Sequence, residues 1–192
     1  INARKRVVEW LWSDHPQDCL SCDKNGNWEL QSSAANLGNR EIRFKGEQSF
    51  AKTDTSTKWI IKNYDKCIGG RRCETMCNDI QTVGALSGVN RGFNTKVGTF
   101  FNTNLCDTEC TFCGQCISVC PTGALTEVNN IPLVWDALHQ NEKTVVVQVA
   151  PSVRVAIGEE FGLEAGTIST GKMVAELKSL GFKYVFDTNF GA

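Results

Sequence analysis

A chain of 192 residues with 20 basic and 21 acidic side chains is close to neutral, which gives no pull toward nucleic acid or an anionic membrane surface. Its length suits one large or two to three small domains, and no apolar run approaches the roughly 18 residues of a membrane span. Ten cysteines demand an explanation. They crowd into short steps between 67 and 120, and none follows Cys120. That spacing suits metal thiolates in a reducing compartment rather than a secreted disulfide framework. The sequence opens on Ile1 with no signal-peptide pattern, so it reads as an internal piece of a longer product.

Residues 3–12 set Val7, Val8 and Leu11 on one helical face, and Asp14-His15-Pro16 ends the pattern. His15-x3-Cys19-x2-Cys22 follows. With one more ligand this compact set would hold a cluster through one imidazole and three thiolates. The plainer alternative is a helix-ending His-Pro beside a stray C-x-x-C, and spacing alone leaves both open. The polar stretch 45–58 reads as a linker.

A cysteine-rich core runs from about Trp59 to Val128, with interior residues so small or polar that metal clusters are expected to replace part of a hydrophobic core. Cys110-x2-Cys113-x2-Cys116-x3-Cys120-Pro121 is the bacterial-ferredoxin run. Three thiolates wrap one face of a cubane, and the fourth cysteine points to the other cluster. The partner run is Cys67 to Cys77, with cysteine at its first, third and fourth positions (67, 73 and 77) and Gly70 at its second. Exchange of fourth ligands predicts one complete four-iron site, Cys77 with Cys110, Cys113 and Cys116. The other site has Cys67, Cys73 and Cys120, three thiolates that hold a three-iron cluster or a four-iron cluster with an open iron. That site is expected to be the more labile. Zinc is the alternative, but its ribbons pair C-x2-C steps across a longer spacer. Cys106 is either a substitute ligand or a buried bystander. The Gly/Asn-rich stretch from Val89 to Phe101 reads as a loop and suggests no chemistry.

After Asn130, Ile131-Pro132 opens a short helix through Trp135 and Leu138, on which His139 has no assigned role. Thr144 to Val149 reads as a buried parallel strand. Thr170 caps a helix carrying Met173, Val174, Leu177 and Leu180, closed by Gly181. Lys183 to Asp187 is a second strand, so the segment reads as a right-handed crossover unit.

These motifs are recognisable. Residues 14–27, Asp-His-Pro-Gln-Asp-Cys-Leu-Ser-Cys-Asp-Lys-Asn-Gly-Asn, resemble the histidine-ligated cluster motif shared by FeFe-hydrogenases and the large iron–sulfur subunit of respiratory NADH dehydrogenases. Residues 147–156 (Val-Gln-Val-Ala-Pro-Ser-Val-Arg-Val-Ala) and 185–192 (Val-Phe-Asp-Thr-Asn-Phe-Gly-Ala) resemble the opening of the FeFe-hydrogenase catalytic domain.

The resemblance implies an α+β chain: a His/Cys accessory-cluster segment over 1–44, the linker 45–58 and a two-cluster 4Fe-4S ferredoxin-like domain over 59–130. The truncated start of an α/β catalytic domain then fills 131–192. It implies an oxidoreductase acting on hydrogen, in which 4Fe-4S clusters relay electrons to a buried six-iron site for reversible proton reduction. His15, Cys19 and Cys22 would ligate the accessory cluster, and Ala150, Pro151 and Ser152 would line the two-iron subsite. A simple strand-to-helix turn is the plain alternative for those three.

Ferredoxin, flavodoxin or an NADH-oxidising partner is the implied donor, with no nucleic-acid or membrane partner. The implied location is the cytoplasm of an anaerobe, or a hydrogenosome. Three departures stand out. Trp28 and Gly70 occupy positions where the family expects cysteine. No cysteine follows Cys120, so the chain as given lacks the ligands of the catalytic cluster and is expected to be inactive alone. The competing readings are a polyferredoxin-type carrier and an iron–sulfur subunit of an NADH- or formate-oxidising complex.

Overall fold

The computed structural model describes residues 2–49, 51–140 and 142–191, which fall into two compact units, Ile1–Val128 and Asn129–Ala192. No helix among the described residues is long and apolar enough to cross a membrane.

The first unit opens with helices α1 (Asn2–Ser13) and α2 (Glu29–Asn36), which lie against each other. On the apolar face of α1 Val7 and Leu11 are exposed and Val8 is half-buried, and the buried residue of the helix is Glu9. The Glu9 carboxylate accepts a bidentate pair from Arg43 at 2.7 and 2.6 Å and a third bond from Arg6 at 3.1 Å. A buried charge survives here because it is paired and fully hydrogen-bonded. The stretch 45–58 has no regular element, yet Asp54 and Thr57 within it are buried. Asp54 exchanges two backbone bonds with Lys62, and its carboxylate accepts the N–H of Ser56 and of Leu105.

Strands β1 (Ile60–Lys62) and, far along the chain, β4 (Leu125–Glu127) pair antiparallel, Lys62 opposite Leu125. They bracket the cysteine-rich segment. Between them come α3 (Arg72–Thr75), continued by a wide π-helical turn over Met76–Ile80, then β2 (Ser87–Val89), β3 (Lys96–Gly98) and α4 (Gln115–Ser118). β2 and β3 form an antiparallel hairpin in a stretch whose glycines and asparagines had suggested only loop. The core joins Ile60, Leu86, Val97, Leu105 and Leu125 to the buried Cys73 and Cys120, with Cys67, Cys77, Cys110 and Cys116 packed against it. Thiols thus do part of the work of hydrocarbon.

The second unit begins with α5 (Ile131–His139), whose Pro132 sits in the first turn. Strands β5 (Val146–Val149) and β6 (Tyr184–Asp187) pair in parallel, Val146 with Tyr184 and Val149 with Asp187. Two helices cross between them, α6 (Val153–Glu160) and α7 (Thr170–Ser179), and a short α8 (Thr188–Gly191) follows β6. Two expectations are corrected. β5 is not buried on both faces, since Val146 and Gln148 are exposed: two strands leave most of a sheet open. The residue before α7 is Ser169 rather than Thr170, and its side chain makes no capping bond. Gly181, at φ 108°, closes α7 against Leu138.

Candidate metal centres

Two pockets gather the clustered cysteines. Cys77, Cys110, Cys113 and Cys116 line the first, with Ile60, Met76, Val83, Leu86 and Leu105. Cys67, Cys73 and Cys120 line the second, with Gly70, Lys62, Arg71 and Arg72. Leu125 lines both, so the pockets adjoin. The loop carrying Cys110, Cys113 and Cys116 is joined by Cys77 from the π-helical turn after α3, and the loop carrying Cys67 and Cys73 is joined by Cys120 from just past α4. Among the described residues no three His, Cys, Asp or Glu side chains close to the spacing of a single metal ion; the thiols ring voids instead.

The loops repeat each other's backbone. Gly69 and Arg71 flank Gly70 with φ of 67° and 57°; Phe112 and Gly114 flank Cys113 with φ of 53° and 75°. A left-handed residue stands on each side of the middle position, and the short helix α3 or α4 starts directly after. Two such conformations in non-glycine residues, at Arg71 and Phe112, carry a steric cost of about 1 kcal/mol each. The shared geometry shows that Gly70 holds the backbone position that Cys113 holds in the other loop. A Cβ added at Gly70 would meet nothing within 4 Å, so the second pocket is short of one thiol and not of space.

Burial pushes the Cys73 thiol up to about 11 and Cys116 up to about 12, and raises Cys110 as well. Without metal these groups are neutral thiols at pH 7, and metal binding must displace their protons. Lys62 is the main cation among them. It is 2% exposed, and its Nζ makes no hydrogen bond. Burial pulls its pKa below the ordinary value, opposed by Cys73, Cys67, Cys116 and Asp54. Arg71 and Arg72 lie at the same pocket but are spent on Glu74 and Glu29. The Arg71 guanidinium also lies on the Gly88 backbone of the β2–β3 hairpin, where an added Cβ would come within 2.9 Å of it.

His15 is buried, its Nδ1 lies 2.9 Å from the Pro16 carbonyl, and its Nε2 has no partner. An imidazole that donates through Nδ1 leaves a lone pair on Nε2, the form a metal requires. That half of the site fits a metal ligand. Cys22 Sγ lies against Gly123, at 2.8 Å from where a Cβ would stand. Lys66 bridges to Asp18 at 2.7 Å, which holds the Asp18 carboxyl below its usual range. Trp28, however, is buried with its ring 4.4 Å from the His15 ring, centroid to centroid. It fills the space beside the imidazole and brings no ligand.

Cys106 is exposed and lines neither cysteine pocket, which corrects the expectation of a buried bystander. Sequence reasoning missed Lys62, Asp54 and the hairpin. A three-residue Ile-Ile-Lys strand offers no sign that its lysine points inward.

Comparison with known proteins follows the same order along the chain. Residues 4–43 match the NADH-ubiquinone oxidoreductase-G iron-sulfur binding region. Residues 57–126 match the ferredoxin-like domain of NADH-quinone oxidoreductase subunit 3. Residues 143–192 match the C-terminal domain of the iron only hydrogenase large subunit. The NADP-reducing hydrogenase subunit HndD of Solidesulfovibrio fructosivorans is 55% identical over 100% of this chain and 33% of its own length. The resemblance to iron-only hydrogenases is borne out.

Iron hydrogenase 1 of Clostridium pasteurianum adds 33% identity over 98% of the chain, again across 33% of that protein. The chain therefore spans about a third of the length of these two hydrogenase relatives. A crystal structure of an NAD+-reducing NiFe-hydrogenase shares the fold, with a TM-score of 0.60 at 23% identity over 66% of this chain and 54% of that one. The chain thus carries ferredoxin-like 4Fe-4S-binding domains followed by a stretch of iron-only hydrogenase sequence. Within that stretch Ala150, Pro151 and Ser152 form an exposed turn between β5 and α6. The Ser152 hydroxyl makes no capping bond to α6.

Proposed function

We propose that this chain is the electron-relay region of an iron-only hydrogenase, passing electrons between a carrier and a site of reversible proton reduction. The observation that carries the reading is the pair of adjoining pockets ringed by Cys77, Cys110, Cys113, Cys116 and by Cys67, Cys73, Cys120. Clusters bound there would supply one-electron storage at low potential.

The polypeptide's part is to present thiolates and keep water away. The first pocket offers four cysteines within walls of Ile60, Val83, Leu86 and Leu105. The second offers three and leaves a coordination position open at Gly70. His15, Cys19 and Cys22 form a third, weaker set, because Trp28 stands where a fourth ligand is needed. Cys22 packs on Gly123, next to the Pro121–Thr122 wall of the second pocket. That contact favours entry of electrons at the His15 end, then the second pocket, then the first. Ala150, Pro151 and Ser152 sit at the carboxyl end of β5, where α/β sheets place their ligands, and there they would edge the hydrogen-forming site.

The donor is a carrier such as ferredoxin or flavodoxin, or a partner that exchanges electrons with a nicotinamide nucleotide. The name of the NADP-reducing relative favours the last. An iron–sulfur subunit of an NADH-oxidising complex is the second reading, favoured by the matches over 4–43 and 57–126. Residues 143–192 argue for hydrogenase.

Two measurements test the proposal. Anaerobic reconstitution of this chain should give four-iron EPR signals on reduction. The full-length product should evolve hydrogen from reduced methyl viologen. Absence of both signals and hydrogen would refute it.

A further inference from the structure

The two cysteine pockets differ in one group that no ligand assignment uses. Lys62 lies on β1 with its backbone committed to Asp54 on one edge and to the β4 pairing on the other. Its side chain turns into the second pocket beside Cys67, Cys73 and Cys120. The Nζ is buried and has no hydrogen-bond acceptor. Its nearest aromatic neighbour is the Tyr64 ring, 4.9 Å to the centroid, a ring it shares with Lys96 at 4.4 Å. The negative or ionisable groups it faces are Cys73, Cys67, Cys116 and Asp54. Cys116 belongs to the first pocket, so the ammonium acts on both.

An unpaired ammonium in a protein interior is costly. Packing does not explain it, because a methionine would fill the same space without the charge. The cost is offset when the pockets carry anionic thiolate-bound centres, whose sulfur atoms supply the missing acceptors. Each such centre gains a negative charge on reduction, and a fixed cation close by in a low-dielectric interior favours the reduced form. Arg71 and Arg72 serve this purpose poorly: both are exposed and already paired to carboxylates. Charges open to water are screened.

We propose that Lys62 is the potential-setting cation of the relay, a positioning residue whose buried ammonium raises the reduction potentials of both centres and that of the Cys67/Cys73/Cys120 centre most. The inference rests on the relay reading above.

The test is an EPR-monitored redox titration, at one pH, of the anaerobically reconstituted full chain. Wild type is compared with Lys62→Met, Lys62→Arg and Lys96→Met, and Cys113→Ser identifies the signal of the first pocket. In Lys62→Met both midpoint potentials should fall, the second pocket's further. Lys62→Arg should stay close to wild type, and Lys96→Met, on the half-buried lysine, should move less than Lys62→Met. Unmoved potentials in loaded Lys62→Met, or an equal fall in Lys62→Arg, would overturn the inference. If Lys62→Met takes up no iron, uptake restored by Lys62→Arg supports the role of charge, and failure of both assigns Lys62 to shape and overturns it. Failure of wild type to load would be a different result, since it removes the relay reading itself.

Discussion

Around Cys77, Cys110, Cys113 and Cys116 the pocket wall is Ile60, Met76, Val83, Leu86 and Leu105, whereas around Cys67, Cys73 and Cys120 it includes Lys62, Arg71 and Arg72. The loops that build them have the same backbone, left-handed on each side of Cys113 and of Gly70. One scaffold has therefore been furnished in two ways. The first site has a full set of thiols in an apolar wall. The second has one thiol fewer but holds a buried cation. Local conformation sets where ligands stand, and the side chains behind them set what a bound group experiences.

The largest change should come from breaking the complete set. Cys113→Ser should reduce the first pocket to the three thiols of the second, seen as loss of its four-iron EPR signal in favour of a three-iron one and as faster loss of its iron in air, with the second centre unchanged. Gly70→Cys should have the next largest effect, in the opposite direction. A Cβ there meets nothing within 4 Å, so the new thiol completes the second pocket. Its iron should then survive air exposure about as long as the first pocket's, where wild type loses it sooner. Equal lability before and after the substitution would mean that Gly70 is not the vacant ligand position.

Asp54→Ala should blur the comparison by loosening the frame both pockets share. Its carboxylate accepts the N–H groups of Ser56 and Leu105 and is held below the usual carboxylate range. Burial pushes it up, but the bonds from Ser56 and Leu105 and the Lys62 charge outweigh that. Losing these charge-assisted bonds should cost about 2 kcal/mol in denaturant unfolding of the loaded protein. The smallest effect belongs to Glu29→Gln. Glu29 meets Arg72 on the open surface, where ion pairs contribute little, so neither unfolding nor iron content should change measurably.

Much of the architecture was legible because it depends on local rules. The helix expected over 3–12 lies inside α1 (Asn2–Ser13), and proline and glycine punctuate α5 and α7 where turn chemistry requires them. What failed did so for one reason: periodicity reports which residues are apolar, not what comes to cover them. Val7 and Leu11 formed a plausible seam, yet Arg43 arrived from far along the chain and Glu9 became the buried residue. The hairpin of Ser87–Val89 and Lys96–Gly98 was hidden by the glycines and asparagines around its turn. Trp28 shows the same limit. Its lack of ligand chemistry is evident from its identity, but only the fold reveals its ring packed against His15.

By itself the sequence determined the grouping of seven cysteines into a set of four and a set of three, because thiolate spacing along a tight loop is a property of a few neighbouring residues. It also determined the hydrogenase-like character of residues 147–156 and 185–192. Tertiary structure alone decided that the Lys62 ammonium sits buried against the second set. Electrostatic influence depends on distance and on exclusion of water, and both are set by which distant strands pair, here β1 with β4 across the whole cysteine-rich segment.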